Sequence, residues 1–233
     1  MKKNKRFEYK YLLNFSDYLI IKNYLLGFCY YDKNSLKDDR RYLVRSIYYD
    51  NYNYDSYVGK IHGNALRSKY RIRTYDVKSK NPLLTLENKS KHGIFTFKDT
   101  NKITYDEYLY LYKYNNLKNI DTNLKEEFMY ELNAYNLKPL TIVQYFREAL
   151  YLNNSTNLRF SFDHDISYFK SSYIFEKDKN FKKDKGSKVV FEIKTIYENS
   201  EFLRNFVMKF NLIYFKNSKY ANSFEHAIND VFY

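Results

Sequence analysis

The sequence predicts an α+β fold in which a closed antiparallel β-barrel keeps its charges inside and is flanked by helices. Three observations predict it. In "ALRSKYRIRTYD", residues 65–76, Arg67, Lys69, Arg71 and Arg73 take every second position, which puts them on one face of a strand. The tripeptide Glu-x-Lys recurs at Glu8–Lys10, Glu87–Lys89 and Glu192–Lys194, each time with aromatic or apolar residues on the other face. Arg159, Ser161 and Asp163 alternate with Leu158, Phe160 and Phe162, and Arg147 shares its parity with Val143 and Tyr145.

On a solvated sheet, cross-strand ion pairs explain one such face, each worth roughly a few tenths of a kcal/mol. Five strands with the same inversion point instead to a barrel with a charged lumen and an apolar, helix-covered outer wall, which also removes exposed edges. A lumen rich in Arg and Lys repels itself, so it calls for an anion. Guanidinium forks match phosphate oxygens, and the interspersed carboxylates suit a divalent cation that bridges phosphates.

The elements follow in order. Residues 5–13 alternate as a strand. Ser16 is the expected cap of a helix with Leu19, Ile20, Leu25 and Leu26 as its apolar face and Gly27 near its end. "YLVRSIYYD" (42–50) is β-rich, 51–63 is a short helix or loop closed by Gly59 and Gly63, and the cationic strand follows. A turn at "KSKNP" leads into strand 83–89, with 92–98 pairing back as a hairpin. Asp106 and Asp121–Asn123 open helices over about 106–114 and 123–136. Segments 139–152, 158–169 and 189–196 are strand-like, 176–188 is a charge-dense loop, and helices run from Ser200 to about 214 and over 219–231. Scattered strands with helices between them indicate a single domain over residues 1–233.

Composition narrows the function. The 233 residues include 29 Tyr and 19 Phe, ample for a core, and only 5 Gly and 2 Pro, which excludes collagen-like or linker-rich chains. A formal net charge of +13 points to polyanionic partners. Cys29 is the only cysteine, which excludes an internal disulfide and a Cys-based zinc site, and the four histidines lack ligand spacing. No signal peptide or integral membrane segment is expected, so the chain reads as cytoplasmic.

The segments together resemble the VTC domain, the polyphosphate polymerase module of the triphosphate tunnel metalloenzyme, or CYTH-like, superfamily. "RFEYKYLL" resembles its first strand, "YLVRSIYYD" with "GKIHGNALRSKYRIRTYD" its S-x-Y-x-D and R-x-K-x-R-x-R segments, and "LTLENK" its L-E-x-K strand. "VQYFREAL", "LRFSFDHDI", "VVFEIK" and "NSKY" (217–220) are similar to its later motifs. The resemblance implies that Lys10, Arg71, Arg73, Lys89, Arg147, Arg159, Lys194 and Lys219 contact phosphates catalytically, with Arg67, Lys69, Lys98 and Ser218 as further substrate ligands. It implies Glu192 as the principal metal carboxylate with Glu8 close by, and Mn²⁺ or Mg²⁺ as cofactor. After Lys98 the family commonly shows adjacent basic residues, whereas this chain has Asp99 and Thr100.

The expected activity is therefore an ATP-dependent polyphosphate polymerase, with ATP and inorganic polyphosphate or pyrophosphate as partners. A tripolyphosphate or nucleoside triphosphate hydrolase uses the same ligands and is the alternative. A basic polyanion or nucleic-acid-binding module is the second alternative, but such a face interleaves aromatics with cations, whereas Tyr70 and Ile72 lie opposite the arginines. Nucleic acid is thus not the expected partner, and oligomeric state is open.

Overall fold

The computed structural model describes residues 7–36, 40–93, 95–153, 157–177, 181–183, 188–197, 200–215 and 218–229. Its strands are β1 (Phe7–Leu13), β2 (Cys29–Tyr31), β3 (Tyr42–Asp50), β4 (Leu66–Arg67), β5 (Tyr70–Thr74), β6 (Leu84–His92), β7 (Phe95–Ile103), β8 (Lys138–Leu152), β9 (Leu158–Phe169), β10 (Lys182–Lys183) and β11 (Val189–Thr195). Its helices are α1 (Phe15–Leu26), α2 (Asp55–Ile61), α3 (Tyr105–Tyr114), α4 (Asn123–Ala134), α5 (Glu201–Lys209) and α6 (Lys219–Asn229). Antiparallel strands and helices together make an α+β fold, as expected. The chain divides into two compact units. The first comprises Met1–Leu43, Tyr145–Ile166 and Lys183–Asn217, and the second Val44–Gln144, Ser167–Lys182 and Ser218–Tyr233.

In the first unit the strand order is β1-β11-β9-β8, with β2 added on β8. The register sets Lys10 opposite Glu192 and Glu8 opposite Lys194. On the other side of β11, Glu192 faces Ser161 and Lys194 faces Arg159. With a side-chain period of two, these all share one face. The opposite face packs Tyr11, Leu158, Phe160, Phe162, Phe191 and Ile193 against Tyr18, Ile21 and Leu25 of α1 and Leu203 and Phe206 of α5.

In the second unit β8-β3-β5-β6-β4 is the order, with β7 on β6. Arg71 stands between Tyr48 and Glu87, and Arg73 between Ser46 and Thr85. Lys98 lies opposite Lys89. The reverse face carries Ile47, Tyr49, Tyr70, Ile72, Leu84 and Leu86, covered by Tyr108 and Leu111 of α3 and Phe128 and Leu132 of α4. Among the described residues the sheet is an open path from β1 to β4 rather than a ring of pairings.

Local departures from expectation have simple causes. Asn14, not Ser16, caps α1, its side chain accepting from the Asp17 N–H at 2.8 Å. The buried stripe of α1 is Tyr18, Ile21 and Leu25, while Leu19, Ile20 and Leu26 are exposed. Polar anchoring decides this: Tyr18 Oη donates to the buried Glu148 Oε2 at 2.7 Å, and Lys22 Nζ lies 2.7 Å from Glu148 Oε1. Thr104, not Asp106, caps α3, in a capping box with Glu107. Helix α5 ends at Lys209, because Asn211 adopts a left-handed φ of 46° and turns the chain, whose Phe215 N–H then donates to the Lys10 carbonyl. The cationic strand is two strands, β4 and β5. Its Ser68 carbonyl accepts from Ser56 Oγ instead of a ladder partner. Most of 176–188, residues 1–6, Asn217 and residues 230–233 lie outside the described residues.

Candidate functional site

The expected site residues fall into two groups, one per unit. In the second unit the centre is Glu87, almost fully buried at 2% exposure. Arg71 Nε donates to Glu87 Oε2 at 2.6 Å, and Nη2 approaches the same oxygen at 2.5 Å. Lys98 Nζ donates to Glu87 Oε1 at 2.8 Å, and Arg73 Nη1 lies 3.5 Å from it. Burial alone would raise the Glu87 carboxyl, but Arg71, Arg73 and Lys98 outweigh it and hold the group well below the ordinary carboxylate range. Lys98, whose side chain remains 44% exposed, is lowered to about 8 by desolvation, with Arg73 and Arg71 adding repulsion and Glu87 opposing.

The free ends of both arginines are also anchored. Arg71 Nη1 donates to Tyr48 Oη at 2.9 Å, and Arg73 Nε to Ser46 Oγ at 3.2 Å. Burial would raise the Tyr48 phenol, yet Arg71, Arg73 and Lys219 together pull it below its ordinary value. Tyr49, next in sequence but facing the core, is raised by burial. The contrast shows that the cations, not burial, set the state of the phenol on the charged face. Ser218 caps α6 with its Oγ accepting from the Ala221 N–H at 3.4 Å, and Tyr220 Oη donates to Asp50, which ties α6 to the end of β3. Lys69 and Lys89 exchange backbone hydrogen bonds at 3.1 and 3.0 Å, so both share the row of Lys98. Arg67 Nη1 donates to the Asn64 carbonyl at 2.5 Å.

In the first unit carboxylates and cations alternate. Arg147 forks onto Asp163, Nε to Oδ1 at 2.6 Å and Nη2 to Oδ2 at 2.7 Å, and Nη2 also reaches Glu192 Oε2 at 3.2 Å. Glu192 is further met by Lys10 at 3.7 Å and Lys194 at 3.4 Å, and Lys194 lies 3.9 Å from Glu8. Burial would lower Arg147, but Asp163, Tyr145 and Glu192 raise it well above its ordinary value. Arg159 Nη2 donates to Asp32 Oδ2 at 2.7 Å and to Tyr42 Oη at 3.0 Å.

The sequence reading missed the organising groups. In the sequence Glu87 is only the first letter of a Glu-x-Lys repeat, because its pairing with Arg71 depends on strand register. Asp163 appeared only in an alternation. Asp32 and Tyr42 carried no sequence signal, because they reach Arg159 from more than a hundred residues away.

The sequence matches the VTC domain family over residues 5–228. The chain belongs to the VTC domain family. Among solved structures, it is similar to an adenylate cyclase candidate from Bacillus halodurans, at 13% identity, TM-score 0.58, covering 94% of this chain and 96% of that one. It is also similar to an adenylyl cyclase candidate from Hippeastrum with a dominant triphosphatase activity, at 14% identity, TM-score 0.51, covering 93% of each. These likenesses show a shared fold. No curated protein matches the chain. No described helix of this VTC domain is long and apolar enough to cross a membrane.

A divalent cation fits the first unit's residues. Mg²⁺-type ions take hard oxygen ligands, commonly one or two carboxylates plus substrate phosphates. Glu192 and Glu8 are two such carboxylates tied to one ammonium, Lys194. Among the described residues no group of three or more His, Cys, Asp or Glu forms a dedicated cage.

Proposed function

We propose that this VTC domain is a polyphosphate polymerase that transfers the γ-phosphoryl of ATP onto a growing inorganic polyphosphate chain. The observation that carries the reading is the Glu87 cluster: Arg71, Arg73 and Lys98 share one buried carboxylate. Cations so outnumbering their counterion form an anion site, and their planar forks suit phosphate. The closed barrel expected from the sequence belongs to this proposal, as do the individual roles of the site residues.

Phosphoryl transfer asks mainly for positioning and charge stabilisation. An oxygen of the acceptor chain's terminal phosphate attacks the γ-phosphorus. That P–O bond forms as the bond to the β-phosphate oxygen breaks and ADP leaves. No protein nucleophile is required. Arg71, Arg73, Lys89, Lys98 and Lys219, with Lys69, Arg67 and Ser218 beside them, orient phosphates in the second unit. Lys10, Arg147, Arg159 and Lys194 do so in the first. Within each unit such cations offset phosphate charge. Glu192 and Glu8 would hold Mn²⁺ or Mg²⁺, which neutralises phosphate charge when bound.

Hydrolysis is the second reading, favoured by the triphosphatase activity of the Hippeastrum protein of like fold. Water then replaces the acceptor phosphate. A phosphorus NMR time course with ATP and Mn²⁺ separates the two, because chain phosphate, orthophosphate and unreacted ATP give distinct signals. Growth of internal-chain phosphate with stoichiometric ADP supports polymerisation, and orthophosphate alone supports hydrolysis.

A further inference from the structure

Arg45, Arg71, Arg73 and Arg147 each donate from Nε to a side-chain oxygen, of Gln144, Glu87, Ser46 and Asp163 respectively. Arg159 differs. Among the described residues, its buried Nε has no hydrogen-bond partner. A buried N–H of a charged group is costly to leave unpaired, so this donor is one that a ligand oxygen would satisfy.

The other end of the same guanidinium is firmly held. Nη2 donates to Asp32 Oδ2 at 2.7 Å and to Tyr42 Oη at 3.0 Å, and Tyr42 Oη itself donates to Asp32 Oδ2 at 3.4 Å. The guanidinium carbon sits 5.4 Å from the centre of the Tyr151 ring. Asp32 is fixed in its turn. Its N–H donates to the Ala149 carbonyl at 2.9 Å, and the Ala149 N–H donates to Ser35 Oγ at 3.0 Å, so residues 32–35 clip onto β8 just past β2. Asp32 Oδ1 accepts from the N–H groups of Asn34 and Ser35 at 3.1 and 2.8 Å, an Asx turn. Oδ2 is thereby left to Arg159 and Tyr42. The two oxygens have separate tasks.

A carboxylate next to a phosphate ligand repels phosphate, so its presence needs an offsetting contribution. Orientation supplies one. We propose that Asp32, with Tyr42, is a positioning residue that grips Arg159 by Nη2 and holds its Nε edge toward a phosphoryl oxygen of the bound triphosphate. This rests on the triphosphate-binding reading above.

The test is a double-mutant cycle on the affinity for inorganic tripolyphosphate, measured by calorimetry. Asp32→Asn keeps Oδ1 for the turn but replaces Oδ2 with an amide donor, which cannot accept from Nη2. It should weaken binding roughly fivefold in the parent, within the coupling range of contacting residues, and change nothing in the Arg159→Ala background. Tyr42→Phe leaves the turn untouched. It should show a smaller loss with the same dependence on Arg159, which keeps the idea testable if Asp32→Asn does not fold. Tighter binding by Asp32→Asn would make Asp32 a competing counterion, and equal losses in both backgrounds would make it a residue of the fold. Either result overturns the proposal and leaves the functional reading standing. A parent chain that binds no tripolyphosphate overturns both.

Discussion

In the second unit Glu87 meets Arg71, Arg73 and Lys98, whereas in the first unit Glu192, Asp163, Glu8 and Asp32 are interspersed with Arg147, Lys10, Lys194 and Arg159. Both faces arise from the same alternation along antiparallel strands, and both turn their backs on a helix-covered apolar layer. What differs is the ratio of carboxylates to cations. A face short of carboxylates attracts anions. A face with nearly one carboxylate per cation can release an oxygen to a metal and still keep its arginine paired, as Arg147 would keep Asp163 if Glu192 turned away. Alternation therefore builds the face, and the count of counterions sets what it suits.

The largest effects should come from the apolar layers, one behind each charged face. Ile72→Ala and Phe160→Ala, both at fully buried positions, should each cost about 2–5 kcal/mol in urea unfolding. The folded fraction should bind tripolyphosphate normally. If Ile72→Ala stayed stable and lost binding, the two faces of β5 would be exchanged and the comparison would fall.

The hubs should then separate. Glu87→Gln leaves three cations without their carboxylate and should cost about 3 kcal/mol, partly restored by tripolyphosphate through mass action. Glu192→Gln should cost clearly less, because Arg147 retains Asp163, while turnover across a Mn²⁺ titration falls steeply. Equal stability losses would contradict the different counterion balance of the two faces, and an unchanged Mn²⁺ response would remove Glu192 from the metal site. The Glu87 carboxyl is depressed in the folded chain, so its stabilisation is present above the unfolded value of 4.5 and is lost as pH falls below it. Acid unfolding of Glu87→Gln should be correspondingly less steep.

Arg71→Ala and Arg73→Ala come next. Each should reduce turnover at least tenfold, about 1.4 kcal/mol of transition-state stabilisation, with little change in melting temperature, since Glu87 keeps two other cations. The smallest expected effect is a pH response. Lys98, lowered to about 8, loses its charge as pH rises through that value, so tripolyphosphate affinity should drop a few-fold between neutral and mildly alkaline pH. Lys98→Met should flatten the drop. A profile identical in both proteins would remove Lys98 from the anion site.

Much of this was legible in the sequence. Period-two alternation sets which side chains share a face whatever the fold does later, so the parity of Arg71 and Arg73 against Tyr70 and Ile72 was readable from residues 70–73 alone. The same rule put Lys10, Glu192 and Lys194 on a charged face and their aromatic neighbours in a core. Local chemistry near helix ends was less secure. Asn14 and Thr104 displaced the expected caps, because several polar residues stood close enough to serve and only backbone geometry chose among them.

Register and long-range partners were decided by tertiary structure. No local pattern says that Glu87 falls opposite Arg71 rather than one pair away, and a shift of two residues would leave the same face with a different carboxylate. The buried stripe of α1 was set by Glu148, over a hundred residues distant, which drew Tyr18 and Lys22 inward and left Leu19 and Ile20 in solvent. Asp32 reached Arg159 in the same way. By itself the sequence determined the faces, since they follow from the geometry of single strands. Only the tertiary structure decided which charges meet on them, because pairing depends on how separate strands align.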